Sequence, residues 1–305
     1  MVQMEPVVHS FYEPTTGTWQ YIVACPSTKD AAVIDPVLDF DPASLRISTA
    51  SADSLFDFVT RKGYTIRYLL ETHAHADHLT ASFYLQQRLL LSSKPRPPIC
   101  IGHRIRTVQK TFGQKYGIPA EELDAAFDHL LEDGEEFSIG DVVASVLYLP
   151  GHTPDHIGYR IGMNVFTGDS IFNPDVGSAR CDFPGGDART LYSSMQTLLS
   201  LPPSYRLYTG HDYPPSIDGE EKRDPLPYVT VADQKERNKH VKQGNSEEQF
   251  VQWRSERDQG LKEPRLLHQA LQVNVRGGRM PKKTHAGKVL LDFVVQVPEV
   301  LVGGL

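Results

Sequence analysis

Thr72-His73-Ala74-His75-Ala76-Asp77-His78 sets four metal-capable side chains within six residues. Neutral imidazoles and a carboxylate suit a borderline divalent metal such as zinc, or iron or manganese. The apolar run Ile66-Arg67-Tyr68-Leu69-Leu70 comes directly before them and reads as a short buried strand. The four side chains therefore fall in the loop at its C-terminal end, where ligand sites of open α/β sheets gather. A polar turn that happens to be rich in histidine is the bland reading, and the His-x-His-x-Asp-His spacing argues against it.

Three later stretches repeat the arrangement. The β-rich run from Val142 to Leu149 leads into Gly151-His152-Thr153, Val165-Phe166-Thr167 into Gly168-Asp169, and Tyr205 to Thr209 into Gly210-His211-Asp212-Tyr213. Alone, His152 would read as a satisfied loop histidine. Four strand ends, each delivering a His or an Asp, point instead to one site assembled by rigid elements.

Other residues are more ambiguous. Asp35 ends a strand and either bonds near the metal loop or caps a turn. Arg180, in the turn-rich loop from Gly177 to Asp187, either clamps a substrate carboxylate or pairs with Asp182. Cys181 beside it reads as an inert thiol.

The elements that position these residues follow from periodicity and turn signals. Trp19 to Ala24 and Ala31 to Pro36 read as an antiparallel pair. A helix around Ser54 to Val59 stops at Gly63, and another runs from about Leu79 to Leu91. After the short strand Ile99 to Ile101 the pattern turns helical from Gly102 to about Glu132, with a basic face that reads as solvated. Glu135 to Asp141 reads as a turn, Ile157 to Ile161 and Val165 to Thr167 as a hairpin, and Ala188 to Leu199 as a helix. Residues 214 to about 228 are rich in proline and charge, and a long charged helix is expected from Val231 to Gln259, anchored by Phe250 and Trp253. Val289 to Leu301 is apolar enough for a terminal strand or a homodimer contact.

The chain has 305 residues, 40% hydrophobic and 23% charged, with a net charge of −7. That is ordinary globular composition, and the acidic balance argues against a nucleic-acid partner. No apolar run approaches a membrane span, and no secretory or mitochondrial leader is read at the N-terminus. Three widely spaced cysteines suit reduced thiols, which makes the cytosol the expected compartment.

The ordered set His73, His75, Asp77, His78, then His152, Asp169 and His211 resembles the metallo-β-lactamase superfamily across residues 19 to 213. The resemblance implies an α/β fold of αββα type, two mixed sheets face to face with helices outside. A single domain over 1–305 is then expected, with its core at about 19–213, a helical insertion at about 102–132 and a C-terminal extension at about 214–305. It further implies one metal held by His73, His75 and His152, a second by Asp77, His78 and His211, and Asp169 between them. Metals in such a set bring the pKa of water from about 15.7 toward about 7 and so supply a nucleophile. Asp77, Tyr213 and Arg180 are then the catalytic candidates, Tyr213 as a proton donor.

The Thr-His-x-His-Ala-Asp-His string and the Arg180-x-Asp182-Phe183 loop are similar to glyoxalase II-like proteins and persulfide dioxygenases. In the dioxygenases one iron sits on the positions of His73, His152 and Asp169. The insertion, Ser178, and the tail carrying Gln272-Val273-Asn274-Val275-Arg276-Gly277-Gly278 look more like a hydrolase branch with isothiocyanate hydrolases and fungal γ-lactamases. The resemblance thus implies a zinc hydrolase, with one or two zinc ions, acting on a small electrophilic amide, lactam or carbamate in detoxification. An iron persulfide dioxygenase is the alternative, and a non-catalytic or nucleic-acid-processing member a lesser one.

Overall fold

Alternating apolar residues and tight turns build a meander at the start of the chain: β1 (Val7–Glu13), β2 (Thr18–Ala24) and β3 (Asp30–Ile34). β2 and β3 pair antiparallel with Tyr21 opposite Ile34, as their patterning predicts. A small excursion follows, β4 (Val37–Asp41) and β5 (Arg46–Ser48), before helix α1 (Ala50–Lys62). Gly63 ends α1 at φ 67°, the left-handed cap that its position signals. Then come β6 (Thr65–Leu70), the histidine loop, β7 (Leu79–Thr80), α2 (Ser82–Leu91) and β8 (Ile99–Gly102). The expected helix from Leu79 thus begins three residues later, because Leu79 and Thr80 pair with β4 instead.

The stretch from Gly102 to Glu132 is only partly helical: α3 (Ile105–Lys115) and α4 (Ala120–Asp124) are followed by strand β9 (His129–Leu131), which pairs parallel to β8. Glu135 to Asp141 is not simply a turn, for β10 (Glu136–Ile139) forms an edge strand beside β11 (Val142–Tyr148), and only Gly140-Asp141 turns the chain. β12 (Ile157–Ile161) and β13 (Asn164–Gly168) form the expected hairpin, and α5 (Ala188–Leu199) has its expected bounds. β14 (Arg206–Thr209), β15 (Tyr228–Thr230), α6 (Val231–Arg237), α7 (Glu247–Gln259) and α8 (Leu267–Asn274) are the remaining elements among the described residues. The long helix expected from Val231 to Gln259 is two, since Ser246 and Gln249 form a capping box that starts α7 afresh.

The computed structural model describes residues 4–92, 94–214, 223–242, 244–294 and 297. Within Val289 to Leu301 no strand is described at 289–294, and 295, 296 and 298–301 lie outside the described residues, as do 215–222 of the proline-rich stretch. Among the described residues no helix is long and apolar enough to cross a membrane.

Among the described residues two mixed six-stranded sheets result, ordered β1-β2-β3-β6-β8-β9 and β10-β11-β12-β13-β14-β15, beside a small three-stranded sheet ordered β5-β4-β7. Tyr21, Ile34 and Leu70 of the first pack against Val146, Tyr159 and Phe166 of the second. α1, α2 and α8 cover the outer face of the first sheet through Leu55, Leu85 and Val273. α5 and α7 cover the second through Leu191, Met195 and Phe250. This is the αββα layering. Burial on both faces explains why the central strands read as continuous apolar runs.

Candidate metal centre

The ends of β6, β11, β13 and β14 meet at one edge of the two sheets. β13 and β14 run parallel side by side, so Asp169 and His211 emerge next to each other. Gly210 lies so close that a Cβ there would meet the Asp169 Oδ1 at 2.5 Å; only glycine permits this approach. Backbone bonds from Ile157 N to Thr72 O (2.9 Å) and Trp19 N to Gly210 O (2.8 Å) tie the two sheets together beside the loop.

The side chains converge as two groups. The nearest ligand atoms of His75, Asp77, His78 and His211 all lie within 4.8 Å of one another, and so do those of His73, His152 and Asp169. Asp169 Oδ2 stands 3.6 Å from His152 Nε2 and 3.6 Å from His211 Nε2, between the groups. His75 falls with Asp77, His78 and His211 by these distances, although its ring centroid is 4.1 Å from that of His73 and 4.2 Å from that of His78.

Each imidazole has one nitrogen engaged behind it. Thr72 donates its hydroxyl to Asp35 Oδ2 (2.9 Å), so at 3.0 Å it accepts from His73 Nδ1. His75 Nε2 donates to Asp35 Oδ1 (3.1 Å), His152 Nδ1 to the Arg180 carbonyl (2.7 Å), and His78 Nδ1 faces the Leu79 carbonyl (3.3 Å). His211 Nδ1 faces Thr18 Oγ1 at 3.3 Å, and Thr18 leads through Thr16 to the Glu13 carboxylate. Such outer partners fix tautomer and ring orientation in metal sites.

Among the described residues the opposite atoms have no hydrogen-bond partner: His73 Nε2, His75 Nδ1, His78 Nε2, His211 Nε2, Asp77 Oδ2 and Asp169 Oδ1 are buried and unsatisfied, with His211 Nε2 and Asp77 Oδ2 in ion-pair contact at 3.1 Å. So many orphaned polar atoms aimed at one point would be costly in a closed interior. Together they form the nitrogen and carboxylate set that a zinc or iron ion takes, so the residues present fit a metal.

Electrostatics agree. Burial lowers the His78 pKa to about 3 and holds that of His73 well below 6.5, so both keep a lone pair for ligation. Burial works against ionisation of Asp77, but His211, His78 and His75 outweigh it and lower its pKa to about 2. Burial also disfavours a charged His75, yet Asp35 and Glu71 raise its pKa well above 6.5, so this spot favours positive charge.

Sequence reasoning leaves Asp35 open between two roles; the structure gives it to the loop, at φ 48°, as partner of Thr72 and His75. Arg180 pairs with Asp182 (Nε to Oδ1, 2.5 Å) and donates to the Lys262 carbonyl (2.9 Å) while lining the cavity. Burial pushes the pKa of the Cys181 thiol well above its ordinary value, which disfavours the thiolate. Tyr213 is 47% exposed and stacks on His211 with ring centroids 5.5 Å apart.

Three supporting residues are missed by sequence reasoning. Asp155 accepts the Ala74 amide (2.8 Å), His156 Nε2 accepts the Asp169 amide (2.9 Å), and Glu71 accepts the Thr80 and Ser82 hydroxyls. Polar residues beside a ligand motif, as in Thr153-Pro154-Asp155-His156, are the signal that could have found two of them.

A cavity of about 450 Å³ opens onto Asp77, His152 and Asp169. Phe172 and Tyr213 form one side, while Lys239, Trp253 and Arg257 of the C-terminal extension form the facing wall. The extension therefore narrows the pocket. The insertion does not line it; Ile105, Val108 and Phe112 of α3 instead pack behind the loop on Ala74 and Ala76.

Residues 14–211 match the family model of the metallo-β-lactamase superfamily. The chain belongs to this superfamily. A β-lactamase hydrolase-like protein of Xylella fastidiosa is 43% identical over 96% of the chain, which spans 66% of that relative's length. Glyoxylase B2 of Dictyostelium discoideum is 38% identical over 95% of the chain and 98% of its own length. Among solved metallo-β-lactamase folds, the crystal structure of ETHE1 from Myxococcus xanthus is 27% identical with a TM-score of 0.68, covering 90% of this chain and all of that one. The superfamily match ends at His211, so α6 to α8 lie beyond it.

Proposed function

We propose that this metallo-β-lactamase-superfamily enzyme is a metal-dependent hydrolase that opens a small cyclic amide, lactam or carbamate in detoxification. One observation carries the reading: Asp169, grouped with His73 and His152, also stands 3.6 Å from His211 of the group formed by His75, Asp77, His78 and His211, at the floor of a cavity sized for a small molecule. His73, His75 and His152 would hold one metal and Asp77, His78 and His211 the other, with Asp169 shared. Zinc held by these residues would supply Lewis acidity and an activated water without redox chemistry.

The chain's own residues do the rest. Asp35, Thr72 and the Arg180 carbonyl hold three imidazoles in the ligating tautomer. Phe172 and Trp253 give the pocket apolar walls that displace water from a flat substrate. The Tyr213 hydroxyl is a proton donor to the leaving nitrogen. Arg180, already committed to Asp182, shapes the wall and leaves substrate charge to Lys239 and Arg257, for which no ion pair is seen among the described residues.

A second reading, an iron persulfide dioxygenase, is favoured by the separate grouping of His73, His152 and Asp169, a two-histidine, one-carboxylate triad. His78→Ala separates the two. Loss of lactam turnover supports the hydrolase, which uses the second metal position. An iron-loaded variant that keeps its metal and oxidises glutathione persulfide at near wild-type rate overturns it. The three cysteines are free and buried, which suits the cytosol.

A further inference from the structure

The metal loop is held from outside by one side chain that the superfamily match does not reach. Asn274, the last residue of α8, is 3% exposed. Its Nδ2 donates to the carbonyls of His75 (2.7 Å) and His78 (2.8 Å), and its Oδ1 accepts the Thr80 amide (2.9 Å). Two carbonyls and one N–H fix the amide's orientation without ambiguity. All of its bonds go to the segment from 75 to 80, which carries His75, Asp77 and His78.

The helix end that bears it is itself pinned. Gln109 of α3 donates to the Val275 carbonyl (2.9 Å), and Leu271 and Val275 pack with Ala74, Ala76 and Phe112. Gly278, at φ 88°, lies so close to the loop's exit that a Cβ would meet Thr80 O and Phe83 N at 3.1 Å each. Insertion and extension thus meet behind the loop and deliver one amide to it.

We propose that Asn274 is a positioning residue for the metal centre, and that docking of α8 and metal binding are thermodynamically coupled. The two carbonyls flank Asp77, and their direction sets how the peptides between them turn. Without the amide they are buried acceptors with no partner, and the loop must rearrange to reach water. A ligand set tolerates displacements of only about 0.5 Å. The coupling runs both ways, since a metal that fixes the loop also fixes the surface on which Asn274 docks. The inference rests on the metal assignment and not on the substrate.

Asn274→Asp tests it with little change of shape: the carboxylate still accepts from Thr80 but faces the two carbonyls with an oxygen. Metal affinity, read by competition with a chromophoric chelator, should fall about 10- to 100-fold, and the visible spectrum of the cobalt-substituted protein should shift. The control is Gln272→Ala on the same helix, whose side chain bonds, among the described residues, only His268 and Asp292. It cuts the tie between α8 and Asp292 but leaves the Asn274 amide on the loop, so affinity and spectrum should stay at the wild-type values. Unchanged affinity and spectrum in Asn274→Asp, or an equal loss in Gln272→Ala, overturns the proposal, whereas a wild-type chain that binds no metal overturns the metal assignment itself. If Asn274→Asp does not fold, hydrogen exchange of the wild-type Thr80 amide decides: metal should slow it, and an unchanged rate overturns the coupling.

Discussion

The ligand edge and the extension wall of the same cavity are built on opposite plans. At the edge, each candidate ligand histidine sits in a loop at the end of a buried strand and has one ring nitrogen engaged behind it, as Asp35 engages His75 and the Arg180 carbonyl engages His152. The wall is made of helix α7 and the loops on either side of it, with a 37% exposed Trp253 and the cations Lys239 and Arg257. Rigid placement at one side and a variable surface at the other is what a scaffold needs to keep one chemistry while changing its substrate.

The comparison breaks most readily at the edge. Asp169→Ala should remove more bound metal than His211→Ala, by more than about 100-fold in affinity, and both should lose turnover; metal content unchanged in Asp169→Ala would contradict the shared position. Next is the support behind the loop. Phe112→Ala, at a fully buried site, should cost about 3–5 kcal/mol in denaturant unfolding, and a loss under about 1 kcal/mol would mean that α3 does not buttress the loop.

Effects at the wall should be smaller and of another kind. Trp253→Ala should raise KM about 10-fold, roughly 1.4 kcal/mol, with metal content unchanged; a drop in kcat with KM unmoved would place Trp253 outside substrate binding. Smallest is Asp182→Asn, which frees Arg180 from a partly exposed pair: stability should move by no more than about 1 kcal/mol in thermal unfolding.

The same contrast explains what the sequence made legible. Ligands at strand ends stand out because a buried strand is an apolar run and the residue after it must turn; His73 to His78, His152, Asp169 and His211 were all readable this way. Edge strands were not. β10 carries Glu136 and an exposed Ser138, so it resembles a turn, and β9 has three residues. The break between α6 and α7 was readable from Ser246 and Gln249, but continuous charge masked it. Asn274 had no local signal beyond being polar in an apolar helix, since its role depends on contacts with residues almost 200 positions earlier.

The most direct test of the hydrolase reading is turnover of a benzoxazolinone-type lactam by the zinc-loaded chain in the absence of oxygen. The account predicts ring opening at a rate independent of oxygen and abolished by chelation. No ring opening with zinc, together with oxygen consumption on glutathione persulfide by the iron-loaded chain, would contradict it.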